Sequence, residues 1–431
     1  MKTAILILLA TVALGVAAEK PMTLRDCLLY AREHADANRL APMATRQGEA
    51  QARLALSDML PTADLYASGN LSFGRNIDPG TNTYDTRRTL STSFGVEMRV
   101  PLFDGLVSLH GLRAAQASAR SLRQRELAEQ DRVSLEVVRA FYNVSYCRAM
   151  TGQAAEELER DSLQLLATRR GYELGSKSGA DVAELEATVA ADEYALTDRR
   201  NKLAEAWLDL RSTMGMEPES TPLLLRDDET PDSPMPLRAE LPQETEARLD
   251  VRRGELELKG AKGAFSPRIS LTAGVTTSYY TFTGDGGTLP GFGRQWRDNM
   301  GQYIGVSVGI PLFDGLAGVN RVRLARASLA ESRLRLEQTR RETATERARA
   351  MLAASSAEEE YAAAKRRLEA EEEAYRMTTR RYELGSASAV ELHTSGARLA
   401  TARATLEGKR IQKIINSIVL DYYNGHPLIK E

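Results

Sequence analysis

Hydrophobic and polar positions change their period along the chain, and the same changes come twice. From Thr23 to Ser57 apolar residues fall at helical spacing, with Leu28, Ala31 and Ala35 followed by Ala52 and Leu56, which predicts one helix of about 35 residues. After Pro61 the period becomes two. Leu65, Ala67, Gly69, Leu71 and Phe73 alternate with Asp64, Tyr66, Ser68, Asn70 and Ser72, predicting a strand over about 62–75 with one apolar and one polar face. Asp78-Pro79-Gly80 signals a turn. A return strand over about 89–102 sets Leu90, Thr92, Phe94, Val96, Met98 and Val100 against Ser91, Ser93, Gly95, Glu97 and Arg99. A second pair, over about 268–282 and 300–312, sets Ile269, Leu271, Ala273 and Val275 against Ser270, Thr272, Gly274 and Thr276. It then sets Ile304, Val306, Val308 and Ile310 against Tyr303, Gly305, Ser307 and Gly309.

The doubling extends to motifs. Val100-Pro101-Leu102-Phe103-Asp104-Gly105 returns as Ile310-Pro311-Leu312-Phe313-Asp314-Gly315, and Tyr172-Glu173-Leu174-Gly175-Ser176 returns as Tyr382-Glu383-Leu384-Gly385-Ser386, both at an offset of 210 residues. Pro61 and Leu65 return as Pro267 and Leu271 at an offset of 206. Each half therefore folds alike, as helix, β-hairpin and helix, over 19–214 and 243–423. A Pro-rich linker, 215–242, lies between them, and a short tail, 424–431, ends the chain. Within the linker, Leu223-Leu224-Leu225 is apolar enough for a short strand.

After each hairpin Asp104 or Asp314 is placed to cap the next helix. That helix is long, since Leu106 to Arg170 holds no proline and would extend about 100 Å as one helix. Val322, Leu329, Leu336, Thr343, Ala350, Ala357 and Ala364 recur every seventh residue, and Val133, Ala140, Cys147 and Ala154 interleave with Val137, Val144, Thr151, Leu158 and Leu165, which is coiled-coil patterning. At Gly175 and Gly385 the long helices should end in left-handed caps and reverse into helices over about 180–214 and 390–423.

Charge and composition narrow the function. Lys and Arg number 57 and Asp and Glu 59, so no strong net field attracts nucleic acid or anionic lipid. Residues 1–18 have a basic start, an apolar run from Ala4 to Val16 and a small-residue Val16-Ala17-Ala18 site, the pattern of a cleaved signal peptide and hence of export. No later apolar run is long enough for a membrane-spanning helix. Cys27 and Cys147 are the only cysteines; an exported chain permits a bridge, and two unlinked core thiols are the simpler reading. His34, His110, His393 and His426 have no metal-ligand spacing, and no catalytic or phosphate-loop motif is present, so neither an enzyme nor a cofactor is expected. Gly284 to Gly287 and Gly291 to Gly293 read as a surface loop between strands, with no helix N-terminus to offer a phosphate.

Two-faced strands of 10 to 13 residues fit half of a soluble sandwich or a tilted membrane sheet. Their length, and Tyr279, Tyr280, Phe282, Phe292 and Trp296 gathered near the hairpin ends, favour the membrane. Four strands cannot close alone, and open edges are not tolerated in lipid, so several chains must share a barrel. Three chains give twelve strands and an open polar bore, with Leu65, Phe73, Phe94, Val96, Leu271, Val306 and Val308 towards lipid and Ser68, Ser93, Glu97, Arg99, Thr272 and Ser307 towards water.

The signal peptide, the two helix-hairpin-helix repeats, the paired Pro-Leu-Phe-Asp-Gly junctions and the paired Tyr-Glu-Leu-Gly-Ser turns together resemble the TolC family of outer-membrane efflux proteins, over about residues 22–423. The resemblance implies a mainly α chain with a membrane β-hairpin pair. It implies a homotrimer whose 12-stranded outer-membrane barrel continues as a periplasmic α-helical barrel. It implies partners, a periplasmic adaptor and an inner-membrane pump, and a role as the passive duct of multidrug efflux or type I secretion. It makes Pro101, Asp104, Gly105, Pro311, Asp314 and Gly315 the barrel-helix junctions. Tyr172, Leu174, Gly175, Ser176, Tyr382, Leu384, Gly385 and Ser386 become the tip where the adaptor docks, and Glu391 with Asp181 a gate just beyond. Both acids also fall near helix N-termini, where a carboxylate is favoured by the helix dipole alone. The rival function is a structural or adhesive outer-membrane protein whose barrel only anchors a coiled-coil rod.

Overall fold

The structure is a computed structural model describing residues 22–78, 82–218, 237–283 and 289–428. The expected signal segment, most of the Pro-rich linker with Leu223 to Leu225, Pro79-Gly80 and Gly284 to Gly287 lie outside the described residues. The elements run α1 (Leu24–His34), α2 (Asp36–Ser57), β1 (Thr62–Ser72), β2 (Arg75–Asp78), β3 (Thr83–Thr86), β4 (Thr89–Phe103), α3 (Val107–Glu173) and α4 (Gly179–Met214). After the linker come α5 (Pro242–Gly263), β5 (Arg268–Phe282), α6 (Phe292–Asp298), β6 (Gly301–Gly309), α7 (Ala317–Glu383) and α8 (Ala389–Tyr423). The helix-hairpin-helix order thus occurs twice, and α3 and α7 have the same length, 67 residues.

Two compact units form, and each draws on both halves of the chain. The first holds α1, α4, α8, the start of α2 and the C-terminal parts of α3 and α7. Its core joins Cys27, Leu28 and Ala31 of α1 with Val133, Val137, Phe141 and Val144 of α3, Leu210 and Met214 of α4 and Ile411 of α8. The positions recurring by seven on α7, Val322, Leu329, Ala350, Ala357 and Ala364, are all buried, with Leu336 and Thr343 half-buried. Small residues dominate this seam because helix axes approach closely where side chains are short. Cys27 and Cys147 are free, and burial pushes the Cys27 thiol up to about 12, so it stays a neutral core group.

The helix expected over residues 23–57 is two helices. Ala35 leaves the helical region (ψ 132°), and Asn38 Nδ2 donates to Ala31 O at 2.9 Å, beside the bond that the same carbonyl accepts from Ala35 N at 3.0 Å. Tertiary contact coincides with the interruption. Gly215, the left-handed cap of α4, lies so near that a Cβ on it would sit 2.4 Å from His34 O.

The second unit contains the sheet, Met43–Arg125 with Gln243–Arg340. Four antiparallel strands pair in the order β1-β4-β5-β6, and β2 pairs with β3 as a separate ribbon. The strand expected over 62–75 stops at Ser72, because Gly74 turns the chain (φ 122°) before β2 begins. The strand expected over 300–312 spans Gly301–Gly309, where pairing ends short of Pro311, a residue with no N–H to offer a ladder. In the first half Pro101 stays inside β4, at an irregularity in the register between Pro101 and Phe103.

Candidate functional site

Strand register sorts the sheet into two chemically distinct faces. Side chains directly opposite in a ladder share a face, so Leu65, Val96 and Val275 form one row and Val100, Leu271 and Val306 another. Ala63, Met98, Ala273 and Ile304 form a row between them. Phe94 and Val308 lie on this same face. Leu65 is 81% exposed, Ile304 76% and Val306 63%, a degree of exposure that water penalises for a contiguous apolar surface. The opposite face carries Ser68, Ser93, Thr272 and Ser307. The four strands contain four charged residues, Asp64, Glu97, Arg99 and Arg268, and all four are on that polar face. β1 and β6 are the sheet's edges, each paired on one side only.

Phe73, expected on the apolar face, lies beyond β1 beneath the Arg88 guanidinium at 5.6 Å. The aromatic end of the second hairpin is built by α6, which sequence patterning missed. Phe292 and Trp296 of α6 pack on Phe94, at 6.2 and 5.0 Å between ring centroids, and Phe292 reaches Tyr279 at 5.3 Å. Where β6 has not yet begun, the Gln295 amide takes that strand's place on β5: its Oε1 accepts from Tyr280 N at 3.0 Å and its Nε2 donates to Tyr280 O at 2.9 Å. The glycine loop therefore does contain a helix N-terminus, Gly291 being the cap of α6, which corrects the expectation of a bare loop.

Each junction between strand and helix is a left-handed pair. Gly105 (φ 75°) precedes Leu106 (φ 63°), and Gly315 (φ 66°) precedes Leu316 (φ 69°). For leucine this conformation costs about 1–2 kcal/mol, and nothing in the sequence pattern singled the two leucines out. Asp104 Oδ2 accepts from Ser108 N at 2.7 Å and Asp314 Oδ2 from Gly318 N at 2.6 Å, so both aspartates cap the helix that begins there. Gly105 has a further reason to be glycine, since a Cβ there would lie 2.1 Å from Gly263 O.

The twin turns are superimposable in their hydrogen bonds. Ser176 N donates to Gly171 O and Ser386 N to Arg381 O, both at 2.8 Å; Gly175 N donates to Tyr172 O at 2.9 Å and Gly385 N to Tyr382 O at 3.0 Å. With Gly175 at φ 71° and Gly385 at φ 74°, this is the Schellman arrangement that ends α3 and α7. Leu174 and Leu384 are 84% and 72% exposed. The tyrosines differ: Tyr172 is exposed, whereas Tyr382 is buried with Lys177 Nζ 4.0 Å above its ring. The first turn thus touches the end of α7.

Asp181 and Glu391 both occupy the third helical position after a serine cap. Asp181 closes a reciprocal capping box, accepting from Ser178 N at 3.1 Å and Ser178 Oγ at 2.8 Å, and these bonds hold its carboxyl below the usual range. Glu391 N donates to Ser388 Oγ at 3.2 Å, but its carboxylate instead faces Arg381 Nη2 at 3.4 Å. The Ser-x-x-acid spacing at both sites was the available sequence signal for this cap.

A second group of acids lies in the helical unit, and no motif in the sequence points to it. Asp192 on α4 faces Asp161 on α3, and Glu157, Arg160, Arg199 and Arg403 are nearby. Burial, then the Asp161 charge, pushes Asp192 up to about 6. While ionised, its Oδ2 is buried without a donor; a proton there bridges it to Asp161. Among the described residues no group of three or more His, Cys, Asp or Glu could hold a metal ion.

Known proteins share this architecture. A family model described as outer membrane efflux protein matches residues 35–216 and 238–426. Protein CyaE of Bordetella pertussis (strain Tohama I) is 28% identical over 317 residues, covering 71% of this chain and 65% of CyaE. Outer membrane efflux protein BepC of Brucella suis biovar 1 is 24% identical over 277 residues, covering 63% of this chain and 57% of BepC. These alignments thus span less than two thirds of either relative. Among solved structures, the outer membrane protein VceC of Vibrio cholerae superimposes with a TM-score of 0.80 at 15% identity, covering 94% of this chain and 96% of that one, a likeness of fold.

Proposed function

The chain belongs to the outer membrane efflux protein family, and from that premise we propose that it is the outer-membrane duct of a tripartite efflux or type I secretion system. The observation that carries the reading is the segregation of charge: every charged residue of the four strands is on one face, and the other is uncharged and exposed. A surface of that kind is stable against lipid, with its partner face against water. Two open edges, β1 and β6, then need strands from other copies, and three chains closing head to tail give a 12-stranded barrel. The helices of the two repeats continue it as a periplasmic helical barrel.

The twin turns form the periplasmic tip. Tyr172, Leu174, Gly175 and Ser176, with Tyr382, Leu384, Gly385 and Ser386, offer the adaptor exposed leucines on rigid caps. Glu391 lines the gate, and Asp181, whose carboxylate is engaged in its capping box, contributes less. Three Glu391 carboxylates brought to one axis attract cations and resist full ionisation. The driving energy comes from an inner-membrane pump.

Thiol accessibility tests the reading. In a chain lacking Cys27 and Cys147, Ser93→Cys should react in intact outer membranes with a small charged thiol reagent, while Val96→Cys on the other face should be shielded. Light scattering of the detergent-purified protein should give the mass of three chains. Equal labelling at both positions, or a single-chain mass, would contradict it.

A further inference from the structure

Charge on the polar face of the sheet is layered as well as segregated. Register sets Asp64 directly opposite Glu97, and Glu97 opposite Gly274, which is in turn opposite Tyr303, so these four make one row across the sheet. Two residues further along β4, Arg99 heads the next row with Thr62 and Thr272. Both Glu97 oxygens are engaged. Tyr303 Oη donates to Oε2 at 2.8 Å and Arg99 Nη2 to Oε1 at 3.1 Å. Tyr303 stands on the edge strand and reaches Glu97 only by lying across β5. Gly274 permits the crossing, since a Cβ there would meet the phenol at 2.8 Å. Asp64, exposed on β1, has neither an ion pair nor a hydrogen-bonded side-chain partner among the described residues.

From this arrangement we infer that Asp64 and Glu97 form an acidic level inside the barrel that selects for cationic permeants, with Arg99 setting its strength and Tyr303 a positioning residue that fixes Glu97. The inference rests on the reading of the polar face as the lumen of a shared barrel. Arg99 offsets one of the two carboxylates, which leaves a net negative charge per chain at this level, contributed by Asp64. Three chains repeat it around the bore. A low-dielectric wall concentrates the field of such a ring on the solution it encloses.

The test uses the purified full chain in planar bilayers, in a Glu391→Gln background so that the tip carboxylate does not mask the barrel. Reversal potentials under a KCl gradient give the ratio of potassium to chloride permeability. Asp64→Asn should lower that ratio at least about twofold and Arg99→Gln should raise it. Both effects should fade near 1 M salt, where the screening length falls from about 10 Å to about 3 Å. Tyr303→Phe should shift the ratio at unchanged conductance, because it frees Glu97 without changing charge. A conducting channel whose ratio ignores both Asp64→Asn and Arg99→Gln overturns the inference and leaves the duct intact. A folded assembly that does not conduct overturns both.

Discussion

Replacing one residue of β6 with arginine distinguishes lipid from water on either side of the sheet. Val306 is directly opposite Leu271, is the sixth of the nine residues of β6, and is 63% exposed in a single chain. An arginine facing lipid near the bilayer midplane costs about 2–4 kcal/mol per chain, so Val306→Arg repeated in three copies costs roughly 6–12 kcal/mol per closed barrel. The neighbouring residue faces the other way. Ser307 Oγ lies 2.7 Å from Ser270 Oγ, and Ser307→Arg forfeits that hydrogen bond, about 1 kcal/mol per chain, while its guanidinium remains in water. Urea titration of each variant folded into phosphatidylcholine vesicles, monitored by tryptophan fluorescence, measures the two costs. Val306→Arg should be the costlier by about 1–3 kcal/mol per chain. Equal costs, or a greater cost at Ser307, would refute the assignment of faces.

Three further outcomes are expected. Ser176→Trp together with Ser386→Trp should abolish efflux while the amount of trimer stays constant, because both caps keep their backbone hydrogen bonds and lose only a serine bond of about 1 kcal/mol each; export assays beside immunoblots of unheated trimer check this. Glu391→Gln should weaken cation selectivity and block by multivalent cations from the periplasmic side in single-channel records, at little cost in stability, since the Arg381 pair is half-exposed. Asp192 gives a pH dependence of opposite sign to most carboxylates: its folded value, about 6, lies above the ordinary 3.8, so the folded state takes up the proton first. Stability from this group should therefore rise as pH falls from 7 towards 4. Asp192→Asn should flatten that slope and stabilise the chain at pH 7.5 by up to about 1 kcal/mol after allowance for solvent screening, read by thermal unfolding across pH.

The repeat was legible because it was written in strong local signals. Pro-Leu-Phe-Asp-Gly supplies an aspartate cap and a left-handed glycine at both junctions, and each of these has a residue type that announces it. The period-two alternation gave the faces because one-residue slips would invert them. The features that escaped notice depend on contacts across the fold. Ala35 is a strong helix former with no breaking signal, and the break there coincides with the close approach of Gly215 and the side chain of Asn38. Leu106 and Leu316 adopt a conformation that leucine disfavours, which no propensity would suggest. The helix α6 is seven residues long, too short for periodicity, and is held by Gln295 and aromatic packing. Tyr303 reaching Glu97 across Gly274 needs the register of three strands at once.

Single-channel recording of the purified full chain in planar bilayers bears most directly on the central claim, that several copies share one barrel enclosing a polar bore. Discrete conductance steps from a species with the mass of three chains are the predicted result. An intact trimer that inserts and does not conduct would mean that the sheet serves only as an anchor, and would contradict the account.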